Sequence, residues 1–150
     1  MSEHETVQRV DRNLLVADIV ERTGIDEAMI ERLVRTFYGR ARLDPLIGPV
    51  FEDAVKDWDH HIAAICDFWS SVVLMTGRYQ GKPMAKHFPL PIEGEHFERW
   101  LAIFAETAGE LCPAPAAAYF LERARRIAES LQLGIAVGRG RPLPPLGAAS

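Results

Sequence analysis

Apolar residues recur at three- and four-residue steps in segment after segment of this chain, and no apolar–polar alternation runs long enough to make a strand. The chain therefore reads as all-α, with proline and glycine punctuating its helices. Asp26 can cap a helix whose stripe is Ile30, Leu33, Val34, Phe37, Tyr38 and Ala41. That helix must stop before Pro45, since proline lacks an amide hydrogen and restricts the residue before it. Residues 44–51 then form a proline-bounded corner, with room for one helical turn, that turns Phe51 inward. A long helix is expected from about Asp53 to Met75, with Val55, Trp58, Ile62, Ile65, Trp69 and Val72 in one row and His61, Ile65, Phe68 and Val72 beside it. So wide an apolar face puts His61 in and His60 out. Pro113 and Pro115 separate two further helices, one bearing Phe97, Trp100, Leu101, Phe104, Ala108 and Leu111, the other Phe120, Leu121, Ala124, Ile127, Ala128 and Leu131.

Between the long helix and these two, residues 76–92 are rich in glycine and proline and read as a loop with at most a turn or two of helix. Residues 1–25 read as an N-terminal extension, a loose tail over 1–12 followed by a short helix from Leu14 to Val20 that ends near Gly24. Residues 26–137 form the domain, and 138–150, dominated by Gly, Arg, Pro and Ala, form a flexible tail. At 150 residues, 48% hydrophobic and 25% charged, the chain suits a single globular domain with a substantial core. The net charge is −4 and the basic residues are interspersed with acidic ones, which argues against a nucleic-acid partner. The polar, acidic N-terminus lacks signal-peptide character, and no run of eighteen apolar residues could span a membrane. A cytoplasmic location is the expectation, with Cys66 and Cys112 as isolated, buried thiols.

The chemistry gathers around His87, in the loop, and Trp100, on the stripe of the following helix. Together with Phe37, Tyr38, Trp58, His61, Ile65, Phe68 and Trp69 they supply an apolar cavity, an imidazole and polar donors, which are the parts of a haem pocket. Taken singly, each has a blander reading. A loop histidine is commonly a surface residue, and a tyrosine or tryptophan at helical spacing is commonly core; Trp58 and Trp69 are expected only to pack. There is no glycine-rich phosphate loop, zinc-type Cys/His cluster or paired-carboxylate arrangement to support another chemistry.

From Phe37-Tyr38 through the 44–51 corner, Trp58 with His61, Phe68-Trp69, Tyr79-Gly81-Pro83, Lys86-His87, and Phe97 with Trp100-Leu101, the order and spacing resemble the truncated haemoglobins of group III, within the globin superfamily. The resemblance covers residues 28 to about 134 and implies a two-over-two helical sandwich enclosing haem b. It implies His87 as the proximal iron ligand and Tyr38, His61 and Trp100 as distal, ligand-stabilising residues. Three roles stand open for His61: donor to the ligand, movable gate, or sixth iron ligand. Phe51, Ile65, Phe68, Met84, Phe88 and Phe97 would touch the porphyrin, and Arg78, Tyr79 and Lys86 are candidates for its propionates. His96 is as compatible with solvent as with the haem edge.

The implied function is reversible binding of O2, CO, NO or similar small ligands. Two other functions compete with it: NO oxidation or peroxide reduction driven by an external reductase, and a haem-free helical interaction module. The last would leave His61, Tyr38 and an indole N–H buried without purpose, at about 1–3 kcal/mol for each unpaired group.

Overall fold

The computed structural model describes residues 3–81 and 92–138, and within them every regular element is a helix. These are α1 (Glu3–Thr23), α2 (Glu27–Ala41), α3 (Gly48–Ala54), α4 (Trp58–Leu74), α5 (Gly94–Leu111) and α6 (Ala114–Gly138). Helix α2 forms as its sequence requires: the Asp26 carboxylate accepts from the Met29 amide at 2.8 Å, and the six stripe residues from Ile30 to Ala41 are all buried. It packs against α4 and α5, α5 packs against α6, and α1 lies on α4 and α6. One pair, α2 and α4, thus meets a second pair, α5 and α6.

Two expectations are corrected. The N-terminal segment is one 21-residue helix rather than a loose tail followed by a short helix. Its last turns are anchored by burial of Ile19 and Thr23, and Gly24, at φ +70°, ends it with the left-handed residue that helix C-termini favour. The expected helix from 53 to 75 is also two helices. Val55 leaves α3 in an extended conformation, and the Asp57 carboxylate then caps α4 by accepting from the His60 amide at 3.1 Å. A side chain that satisfies the first-turn amides favours starting a new helix over continuing the old one.

The corner between α2 and α3 is a compact clamp. Asp44, 6% exposed, accepts from the amides of Leu46 (3.0 Å) and Ile47 (3.1 Å) and from Arg99 Nε of α5 at 2.6 Å. Burial pushes the Asp44 carboxyl up, but these donors and the Arg99 charge outweigh it, so the group titrates below its ordinary value. Gly48 is required here, because a Cβ would lie 2.5 Å from the Arg42 carbonyl oxygen. At the far end of α4, the Ser70 hydroxyl donates to Glu27 at 2.7 Å and lies 2.8 Å from the Thr76 hydroxyl, joining the α4 terminus to the start of α2.

Aromatic rings fill the centre. Trp69 stacks on Phe104 (5.3 Å between centroids, 14° between planes), and Phe104 stacks in turn on Trp100 (5.5 Å, 17°). Phe104 and Phe120 are fully buried, each contributing about 1.5–3 kcal/mol through removal from water.

Candidate functional site

Beside that stack the helices leave a cavity of about 700 Å³, within the ~300–1,000 Å³ span of pockets that take a cofactor-sized guest. Its walls follow from the helical stripes and the 44–51 corner already described. Helix α2 contributes Val34, Phe37 and Tyr38; α3 contributes Val50 and Phe51; α4 contributes His61, Ile65, Phe68 and Trp69; α5 contributes Phe97, Trp100 and Phe104. Ile127, Ala128 and Leu131 of α6 close the far side.

Polar atoms in this lining are few and placed. Tyr38 is 6% exposed, and its hydroxyl lies 3.3 Å from His61 Nε2. Burial, with a smaller contribution from Cys66, raises the phenol well above its ordinary value, so it stays protonated and able to donate. Rings pack around the pair at edge-on angles that suit their quadrupoles: Phe51 stands 5.4 Å from Tyr38, and Phe37 stands 5.1 Å from Tyr38 and 5.8 Å from Trp100. On the α4 side Tyr79 meets Phe68 edge-on at 5.3 Å, and the Tyr79 amide donates to the Ser71 hydroxyl at 2.9 Å. The site can therefore seat a largely apolar guest and offer hydrogen bonds at one part of its surface.

Of the residues singled out in the sequence, Tyr38, Phe51, His61, Ile65, Phe68, Tyr79, Phe97 and Trp100 all line this one cavity. Arg78 does not. Its guanidinium turns to Glu27 at 3.3 Å, at the start of α2, where an opposite charge is available. Met84, Lys86, His87 and Phe88 lie outside the described residues. Sequence reasoning missed the polar rim: Lys56 and Asp57 at the break between α3 and α4, and His60, which is exposed as expected yet borders the cavity. It left His96 undecided. His96 lines the cavity while its Nδ1 accepts from the Glu93 amide at 2.9 Å, and its spacing of four residues from Trp100 on one helix face was the available signal.

Comparison with known proteins agrees with this geometry. The bacterial-like globin family matches residues 18–128. The group 3 truncated hemoglobin ctb of Campylobacter jejuni is 34% identical over 113 residues, covering 72% of this chain and 89% of that protein. The group 2 truncated hemoglobin YjbI of Bacillus subtilis is 32% identical over 82 residues, covering 53% of this chain and 61% of that protein. The crystal structure of the group III truncated hemoglobin from Campylobacter jejuni superposes with a TM-score of 0.68 at 35% identity, over 72% of this chain and 89% of the other. With its helices in the arrangement of that crystal structure and its sequence matched over most of its length, the chain belongs to the bacterial-like globins, as a truncated haemoglobin of group III.

Proposed function

We propose that the cavity holds haem b, with His87 as the iron ligand, and that the protein reversibly binds O2 or a similar diatomic molecule under the hydrogen-bonding control of Tyr38, His61 and Trp100. The residues present fit such a group: the cavity has the volume, its walls are aromatic and aliphatic, and the buried Tyr38 hydroxyl is an uncharged donor. A bound haem supplies an iron able to take a diatomic ligand, and the protein's part is to tune that bond through the polarity of the pocket.

The observation that carries this reading is the buried Tyr38 hydroxyl 3.3 Å from His61 Nε2 within the cavity wall. A phenol has one hydrogen to give. When His61 carries its proton on Nε2 it donates to the Tyr38 oxygen, and the Tyr38 hydrogen is released to point at a guest; the other tautomer takes that hydrogen for itself. His61 thus sets whether Tyr38 acts as a donor to the ligand. Trp100 adds an indole N–H that can only donate. A hydrogen bond to a ligand that gains negative charge contributes about 1.5–3 kcal/mol, so this pocket should slow ligand release and favour retention or sensing over rapid transport.

The test is an absorption spectrum of the purified protein, oxidised, reduced and with CO, beside that of His87→Ala. A Soret band that shifts with CO and is lost in the variant supports the reading. Failure to take up added hemin removes it.

A further inference from the structure

Trp58 and Arg42 do more than fill space, and the argument begins with register. Arg42 lies one helical turn beyond Tyr38 and its amide donates to the Tyr38 carbonyl at 3.0 Å; Trp58 opens α4 one turn before His61. The two members of the distal pair therefore each carry a neighbour displaced by one turn, and those neighbours meet. Arg42 Cζ stands 4.1 Å from the centroid of the Trp58 ring, a cation–π distance, and Arg42 Nε donates to Glu52 of α3 at 2.7 Å.

Beneath the guanidinium, the Trp58 ring touches both members of the pair. Its centroid is 5.7 Å from that of Tyr38 and 5.6 Å from that of His61, each edge-on, and 6.3 Å from Phe51. Trp58 is not itself part of the cavity lining. It stands behind the residues that are, where its bulk opposes rotation of the imidazole away from the Tyr38 hydroxyl. Arg42 and Glu52 hold the indole from the outside, tying α2, α3 and α4 together at the point where the helix expected from the sequence is broken.

We infer that Trp58, clasped by Arg42, is a positioning residue that keeps the His61 imidazole against Tyr38 and so sets how strongly a bound diatomic ligand is held. This deepens the proposed function and rests on it. Acting through His61 also means that the effect of Trp58 must vanish when His61 is gone, which a purely structural role does not require.

The test uses the haem-loaded full chain with Arg42→Ala, Arg42→Lys, Trp58→Leu and Trp58→Phe, each alone and combined with His61→Leu. The C–O stretching band of the CO complex reports polarity at the ligand, and the O2 dissociation rate reports its hold. Arg42→Ala and Trp58→Leu are expected to move the band toward that of His61→Leu and to speed O2 release about tenfold, the worth of one neutral hydrogen bond. Arg42→Lys, which keeps the cation, and Trp58→Phe, which keeps an aromatic edge, should largely restore both. In the His61→Leu background none should add a further change. An unmoved band and rate in Arg42→Ala and Trp58→Leu overturns the inference, as does an effect of equal size without His61. Arg42 is half-exposed, so its variants carry the test if Trp58→Leu does not fold. Absence of haem uptake by the wild type overturns the proposed function, and this inference with it; normal uptake with unmoved variants overturns this inference alone.

Discussion

At Tyr38 a single oxygen atom would join stability to the proposed function. Removing it in Tyr38→Phe should leave haem binding intact and raise the O2 dissociation rate roughly tenfold to a hundredfold, through loss of a ligand hydrogen bond worth about 1.5–3 kcal/mol; stopped-flow ligand displacement would measure this. The same residue sets a pH limit. Because burial raises the folded-state phenol above its ordinary value, the unfolded chain loses this proton first as pH climbs, and stability falls from about pH 10 upward. Urea unfolding at a series of alkaline pH values should show that decline flattened in Tyr38→Phe. Asp44 behaves in the opposite sense. Its carboxyl is held below its ordinary value, so its contribution is present above about pH 4 and is lost as pH falls through the lower folded-state value. Asp44→Asn should cost about 1–3 kcal/mol at neutral pH, seen as a lower urea midpoint, because it weakens the tie to Arg99 and leaves the corner amides a poorer acceptor. Tyr38 was legible in the sequence as a member of the α2 stripe. The roles of Asp44 and Arg99 were not, since the two are 55 residues apart in sequence and only the packing of α5 on the corner brings them together.

Among the elements, α1 and the break between α3 and α4 departed from what the sequence suggested, for different reasons. Helix α1 has few apolar residues and a weak stripe, so periodicity undercounted it; what retains it is tertiary, with Ile19 1% exposed while Leu14, one turn and a half earlier, is 65% exposed. Thermal or chemical unfolding should separate these two: Ile19→Ala should cost about 2–5 kcal/mol and Leu14→Ala under about 0.5. The break was masked because Val55, Trp58 and Ile62 keep helical spacing across it; a period cannot register a three-residue interruption that shifts the face only slightly, whereas the Asp57 cap could have been recognised as a start signal. Helices α2, α5 and α6 were legible because each carries a long stripe bounded by Asp26 or by the prolines at 113 and 115.

Across the whole molecule, α2, α4, α5 and α6 spend their apolar faces partly on one another and partly on the cavity, so a guest that fills it should stabilise the fold. Hemin should raise the melting temperature of the protein, with a stabilisation of about 2.7 kcal/mol at a free concentration one hundred times the dissociation constant; a melting curve unmoved by saturating hemin would count against the cavity as its seat. The convergence of Tyr38, His61, Ile65, Phe68, Phe97 and Trp100 on one cavity was readable because a stripe on a helix must face something, whereas Tyr79, beyond the end of α4, was foreseen only through the family resemblance. The rim at Lys56, Asp57 and His60 was not, since exposed polar residues near a mouth look in sequence like any solvated turn. The column of Trp69, Phe104 and Trp100 has one more consequence. Trp69 and Trp100 line the cavity, and Trp58 stands directly behind Tyr38 and His61, so all three tryptophans of the chain surround the one place where a strong absorber of near-ultraviolet and violet light would sit. With haem seated as proposed, their emission should act as a built-in lamp behind a shutter: dim while the chromophore is bound, bright as it leaves, and able to time its departure with no label attached.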